Sequence, residues 1–201
     1  MDWYLCFVPD KNCKKDSSKS KIKTTSSKNS RPEITNPKFQ PVTIDYCPNV
    51  NPIVMEYVLG NPENVDAQLL DAVIYAFVEI NPDGTLYVPT PRFLRQLVQL
   101  KLEKPSLQVI AAIGGWGTDG FSDAASTPTS RYNFAREAKK LMNQYGLDGI
   151  DIDWEYPGSS AAGIKSSPQD RENFTLLITA LRDVLGDDAW LSVAGTGDSA
   201  Y

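Results

Sequence analysis

Three carboxylates alternate with apolar residues in one short segment of the sequence. Asp151, Asp153 and Glu155 occupy every second position. Alternate side chains of a β-strand point to the same face, about 6.6 Å apart, so the three acids are predicted to lie in a row. Adjacent negative charges and burial both raise the pKa of at least one carboxyl. A carboxylic acid that stays protonated near neutral pH can protonate a leaving oxygen, as in the hydrolysis of a glycosidic bond.

A polar edge strand and a calcium loop are two other interpretations of this segment. An edge strand is disfavoured because Ile150, Ile152 and Trp154 alternate strictly with the acids and require a buried opposite face. A calcium loop of the EF-hand type starting at Asp151 would need glycine at its sixth position, where the sequence has Tyr156. The pattern therefore favours a chemical function for the acids.

The composition removes several other kinds of site. The 201 residues include no histidine, which excludes Ser-His-Asp and Cys-His catalysis and zinc sites that use imidazole. Three cysteines without CxxC spacing make a disulfide framework or a cysteine-rich metal site improbable. The net charge of −5 divides into +5 over residues 1–40 and −10 over the remainder, and an acidic body argues against a nucleic-acid partner.

Residues 1–40 are predicted to form a disordered tail rich in Lys and Ser. Residues 11–30 contain seven lysines and six serines with almost no apolar side chain, so burial cannot offset the entropy of ordering them. Such a tail could contact an anionic surface or act as a solvated linker. The apolar run 3–8 is too short for a signal-peptide core, so we expect no export signal and no membrane span.

Short apolar runs alternate with segments of helical periodicity from residue 41 to residue 201. The runs predicted to be strands are 42–46, 72–77, 108–113, 149–153 and 190–194. The helices between them are predicted to begin at Thr90-Pro91, to end at Gly146, and to run from the cap Ser167-Pro168 to Gly186. Residues 48–65 fit neither pattern. Strands and helices in alternation predict an α/β fold with a parallel sheet, either doubly wound or a β/α barrel.

The acidic segment, with Asp148 at its start, has the pattern D-x-x-D-x-D-x-E and resembles the signature of family 18 glycoside hydrolases, the chitinase family. Tyr75-Ala76-Phe77 is similar to the family's second-strand motif, and Ala112-Ile113-Gly114-Gly115-Trp116 to its third-strand motif. Residues 170–174 resemble its fourth helix. The resemblance implies a TIM (β/α)8 barrel, of which residues 41–201 would supply about five of the eight parallel strands.

The resemblance also implies a role for each acid. Glu155 is expected to be the general acid/base. Asp153 would orient the N-acetyl group of the substrate, whose carbonyl oxygen is the nucleophile in a substrate-assisted, retaining mechanism. Asp151 would share a proton with Asp153, and Asp148 is expected to be structural. Neither a metal nor a cofactor is implied.

The resemblance further implies contacts to chitin or a chitooligosaccharide. The residues expected to bind the sugar are Tyr46, Phe77, Gly115, Trp116 and Tyr156. Tyr75 and Gly114 are motif positions with a structural part. Each of these positions has an alternative, since a tryptophan can pack under a loop, aromatic residues can fill a core, and a glycine pair can end a strand.

The sequence departs from the family pattern in two respects. Ala112 stands where the third-strand motif usually has serine, which removes a hydroxyl from the aspartates. A chain of this length is also too short for eight strands, so we expect weak or absent activity from it alone. The alternatives to a glycosidase are a catalytically silent carbohydrate-binding protein and a non-functional gene fragment. The family implies an extracellular location, and the oligomeric state is open.

Overall fold

The structure, a computed structural model, describes residues 53–195. The strands in this part of the chain are Met55–Leu59 (β1), Ala72–Ile80 (β2), Leu86–Tyr87 (β3), Gln108–Gly114 (β4), Gly149–Asp153 (β5) and Trp190–Val193 (β6). Five of them are parallel in the order β1-β2-β4-β5-β6, and β3 pairs antiparallel with β2. Each parallel strand lies beside the next one along the chain, without the reversal of order that defines a doubly wound sheet. This confirms the prediction of a partial β/α barrel.

Helices connect the parallel strands and cover one face of the sheet. They are Pro91–Gln99 (α1), Phe121–Ser126 (α2), Pro128–Tyr145 (α3) and Asp170–Leu185 (α4), with 3-10 turns at Pro62–Asn64, Ala67–Leu69 and Leu100–Leu102. The longest helix, α3, has strong signals at both ends. The side chain of Thr127 accepts a hydrogen bond from the Ser130 amide in a capping box, and Gly146 ends the helix with φ of 72°.

The two faces of the sheet carry different side chains. The face toward the helices belongs to the main hydrophobic core and includes Val73, Val109, Ile150 and Ile152. The opposite face carries a smaller apolar cluster, in which Ala72, Ile74, Ile110 and Ala112 are buried and Tyr57, Phe77 and Trp190 are partly buried. The acids of β5 lie on this second face, because their side chains alternate with Ile150 and Ile152.

The first parallel strand differs from the prediction. The position beside β2 is taken by β1, Met55–Leu59, which falls in the segment that we could not assign. This segment is hard to recognise because its sequence, M-E-Y-V-L, is neither a continuous apolar run nor a strict alternation of apolar and polar residues. The predicted strand at 42–46 lies outside the described residues, as do the predicted tail at 1–40, the three cysteines and Tyr46.

One helix boundary and one short helix also differ from prediction. The last helix begins at Asp170 rather than at Ser167-Pro168, because the Asp170 carboxylate is buried and accepts a hydrogen bond from the Ser167 amide at 2.7 Å. The short helix α2 was not predicted, and its six residues are too few to show a helical period. Within residues 53–195, none of the helices combines the length and the apolar character needed to cross a membrane.

Candidate active site

The strand β5 carries two of the three acids, and the third follows directly after it. Asp151 and Asp153 lie within β5 and Glu155 lies two residues beyond its last residue. Trp154 between them points to the helical side, where its ring stacks on Phe121 at 5.4 Å and meets Phe174 edge-on at 5.7 Å. This aromatic packing fixes the end of the strand against α2 and α4, and thereby directs the neighbouring carboxylates to the opposite face.

Asp151 is fully buried and is held by two hydroxyl groups from different strands. Tyr57 of β1 donates to its Oδ2 at 2.8 Å, and Ser192 of β6 donates to its Oδ1 at 2.6 Å. Burial raises the pKa of Asp151 above its usual range, and the hydrogen bonds from Ser192 and Tyr57 offset only part of that rise. Each of the two carboxylate oxygens has a hydroxyl donor.

Asp153 has a different environment from Asp151, although it is also buried. Its Oδ1 atom has no hydrogen-bond partner. Burial raises the pKa of Asp153 to about 8, and the adjacent charges of Glu155 and Asp151 add to the effect. Because the pKa of Asp151 is raised as well, the two aspartates together hold a proton at neutral pH. Glu155, the next acid along the row, is also buried, with 8% of its surface exposed.

The glycine pair after β4 lets the backbone approach the acids. A Cβ atom on Gly114 would lie 2.0 Å from the backbone oxygen of Asp153, and the φ of Gly114 is +125°. The amide of Gly115 donates to that same oxygen at 2.9 Å, and a Cβ on Gly115 would meet the Phe77 ring at 3.0 Å. The pair thus does more than end a strand, because it holds the backbone of Asp153 and leaves room for Phe77.

Aromatic side chains form a rim beside the acids. Trp116 is 63% exposed and lies edge-on to Tyr156 with ring centroids 6.4 Å apart. Phe77, Gly115 and Trp116 line a cavity of about 400 Å³ at the carboxyl ends of β2 and β4, to which Tyr75 also contributes and none of the three acids does. The exposure of Trp116 removes the alternative that it packs under a loop. A larger groove of about 820 Å³, between the 81–85 turn and α3, contains none of the predicted site residues.

Two of the predicted motif residues lie away from the acids. Tyr75 faces the helical core, where its hydroxyl accepts a hydrogen bond from the Thr90 amide at 3.2 Å. Asp148 precedes the amino end of β5, where it forms an ion pair with Lys101 at 2.7 Å and accepts from the Val109 amide at 2.7 Å. These contacts tie β5 to β4 and to the turn after α1.

Two residues in contact with Asp151 escaped the sequence analysis, namely Tyr57 and Ser192. Tyr57 lies in the segment that we could not assign. From the sequence we considered a hydroxyl partner for the aspartates only at position 112, where the family motif usually has serine. Ser192 could have been noticed as a polar residue inside the apolar run 190–194. Its place in the alternation puts its side chain on one defined face of the predicted strand. Among residues 53–195, no cluster of three His, Cys, Asp or Glu side chains has an arrangement that could hold a metal ion.

Comparison with known proteins gives one consistent result. The sequence model described as glycosyl hydrolases family 18 matches residues 51–200. Chitotriosidase-1 of Mus musculus is 33% identical over 148 residues, which cover 72% of this chain and 31% of that protein.

Solved structures give the same picture. The chitinase domain of the spore coat protein CotE from Clostridium difficile is 75% identical, with a TM-score of 0.76, over 77% of this chain and 45% of that domain. A family 18 N-acetylglucosaminidase from Paenibacillus barengoltzii is 35% identical with a TM-score of 0.70, over 75% of this chain and 48% of that one. The chain thus spans less than half the length of each of these relatives.

Proposed function

Because the chain belongs to glycosyl hydrolases family 18, as its motifs predicted, we propose that it acts in the hydrolysis of β-1,4-linked N-acetylglucosamine polymers. The observation that carries this proposal is the buried row of Asp151, Asp153 and Glu155, in which the acids differ in hydrogen bonding. A row of three buried acids is costly for stability, and such groups are typically retained where they perform chemistry.

Glu155 is proposed as the general acid/base. It follows the carboxyl end of β5, and its carboxyl proton would pass to the oxygen of a glycosidic bond as the bond to the sugar breaks. The carbonyl oxygen of the substrate's own N-acetyl group then attacks the anomeric carbon, giving a cyclic oxazolinium. Water activated by Glu155 opens this intermediate with retention of configuration.

Asp153 and Asp151 are proposed to form a proton-sharing pair. Burial raises the pKa of both aspartates, and only Asp151 has hydroxyl donors that oppose this rise, so the shared proton is proposed to rest on Asp153 before substrate binds. Movement of that proton to Asp151 leaves Asp153 as a carboxylate beside the substrate. A carboxylate there would orient the acetamido N–H and stabilise the positive oxazolinium.

The proposed partner is chitin or a chitooligosaccharide, with the exposed Trp116 and the neighbouring Tyr156 as stacking surfaces. Phe77 and Gly115 would shape the adjoining cavity. We also propose an extracellular place of action, because a polymer of this size does not enter cells. Glu79 and Thr118 line the same cavity and provide polar groups beside the aromatic surfaces.

The test is the hydrolysis of N-acetylglucosamine hexamer by the longest natural form of the protein that contains these residues. We expect product release with the β-anomer formed first by proton NMR, and a loss of about a thousandfold in kcat for Glu155→Gln. Glu137→Gln, on the surface of α3, is the matched control and should keep full activity. Unchanged turnover in Glu155→Gln would contradict the role of Glu155. Binding of the hexamer without turnover in the unmodified protein would identify it as a carbohydrate-binding protein.

A further inference from the structure

The geometry points to Ser192 as a positioning residue for Asp151, which supplies from β6 the hydroxyl that Ala112 does not supply from β4. This inference rests on the proposed function, in which Asp151 exchanges a proton with Asp153. It concerns a strand that the motifs of the sequence do not include.

The register of the sheet places both neighbours of Asp151. In the parallel pairing, Ala112 of β4 is the Cα partner of Asp151 on one side and Ser192 of β6 is its partner on the other. Paired residues of adjacent strands point to the same face, so either position could present a hydroxyl to the carboxylate. Ala112 has only a methyl group, and Ser192 provides the hydrogen bond to Oδ1 at 2.6 Å.

The hydrogen bond from Ser192 has a role that the bond from Tyr57 cannot perform alone. Tyr57 donates to Oδ2 only, which leaves the rotation of the carboxylate about its Cβ–Cγ bond undetermined. A second donor on Oδ1 fixes that plane. Ser192 is 4% exposed and Asp151 is fully buried, so water has little access to replace a missing hydroxyl.

The surroundings of Asp151 cannot compensate for a lost hydroxyl. The titratable groups that face the Asp151 and Asp153 pair in the described part of the chain are Tyr57 from β1 and Glu155 after β5, and both are acids. The Ser192 hydrogen bond lowers the pKa of Asp151 against the effect of burial. Without that bond, Asp151 would keep a proton of its own at higher pH and could no longer accept one from Asp153.

The experiment compares Ser192→Ala with two variants that restore a hydroxyl. These are Ser192→Thr and the double variant Ser192→Ala with Ala112→Ser, which places the hydroxyl on the opposite strand. The readouts are the 13C carboxyl titration of Asp151, assigned against Asp151→Asn, and the pH profile of kcat on N-acetylglucosamine hexamer. We expect Ser192→Ala to shift the Asp151 titration to higher pH and to lower kcat about tenfold, and both hydroxyl variants to reverse these changes.

The matched control is Ser122→Ala. Ser122 is also buried and also donates to a buried aspartate, Asp170, at 2.8 Å, on the helical side of the sheet. It should lose stability without any shift in the Asp151 titration. An Asp151 titration that is the same in Ser192→Ala as in Ser122→Ala would overturn the inference.

The titration decides the role of Ser192 even if the protein does not hydrolyse the hexamer, because it needs no substrate. A failure of the proposed function and a failure of this inference can therefore be told apart. Should Ser192→Ala fail to fold, Ser192→Cys keeps nearly the same volume with a weaker donor. It should give a smaller shift in the same direction, and the absence of any shift in it would overturn the inference as well.

Discussion

Two fully buried aspartates on opposite sides of the sheet have different surroundings. Asp170, the first residue of α4, accepts from the Ser167 amide at 2.7 Å, the Gly158 amide at 3.3 Å and the Ser122 hydroxyl at 2.8 Å. Asp151 accepts from hydroxyl groups and has a carboxyl neighbour in Asp153. The same residue type is thus buried in two chemically distinct ways.

The donors explain the difference between the two sites. A backbone N–H can only donate, so the amides of Ser167 and Gly158 require an acceptor oxygen on Asp170. A hydroxyl can either donate or accept, so Tyr57 and Ser192 can stay bonded to Asp151 when it gains a proton. Burial alone therefore does not distinguish Asp151, which we propose to take part in catalysis, from Asp170, and the type of donor and the neighbouring carboxyl do.

The largest expected effect is a loss of activity when an acid of β5 is replaced, which we do not expect when Asp170 is replaced. Asp153→Asn should lower kcat on N-acetylglucosamine hexamer about a thousandfold, because it removes the charge proposed to stabilise the oxazolinium. Its free energy of unfolding should not fall, since the change removes a buried acid whose Oδ1 has no partner. Steady-state kinetics and urea unfolding of the same sample measure both quantities. A stable variant with near-normal kcat would remove Asp153 from the proposed mechanism.

The next largest effect is the opposite one at Asp170, where a substitution should lower stability and leave kcat largely unchanged. Asp170→Ala leaves the amides of Ser167 and Gly158 and the hydroxyl of Ser122 without their acceptor, which should cost about 3 kcal/mol in the free energy of unfolding. The kcat of the folded fraction should change less than tenfold. Urea unfolding with activity measured well below the midpoint tests this, and a loss of kcat as large as that of Asp153→Asn would abolish the contrast.

The pH dependence of stability should also differ between the two regions. With the pKa of Asp153 raised to about 8, the folded protein holds a proton that the unfolded chain releases near pH 4. This proton stabilises the fold below pH 4, and the stabilisation is lost as the pH rises toward 8, with a slope of at most about 1.4 kcal/mol per pH unit. Asp153→Asn should reduce the slope, and Trp116→Ala, which changes no titratable group, should retain it. Urea midpoints across this range measure both, and equal slopes in wild type and Asp153→Asn would contradict the raised pKa.

The smallest expected effect concerns the rim. Trp116→Ala should raise KM for the hexamer up to about tenfold through loss of a stacking surface, with little change in kcat. Because Trp116 is 63% exposed, the free energy of unfolding should change by less than about 0.5 kcal/mol. Tyr87→Ala, another exposed aromatic, on β3, is the control and should leave KM unchanged. Equal KM values for the two variants would exclude Trp116 from substrate binding.

Much of this arrangement follows from local sequence patterns. Alternation of acids with Ile150, Ile152 and Trp154 determined the strand and which residues share a face, and the predicted bounds of β5 agree with the structure. The order of strands and helices predicted a parallel sheet, and the motifs predicted the family. The strand positions, the shared faces and the family motifs are periodic or contiguous patterns, so each of them can be read from a single stretch of the sequence.

The partners of the acids were decided only by tertiary structure. Tyr57 and Ser192 lie 94 and 41 residues from Asp151 in the chain. Ser192 reaches it through the register of the neighbouring strand β6, whereas Tyr57 reaches it from β1, which is separated from β5 by β2 and β4. Periodicity states which face a side chain occupies but not which residue lies beside it on the next strand. That lateral pairing brings a serine rather than an alanine to Oδ1 of Asp151, and it depends on packing among all the strands and helices at once.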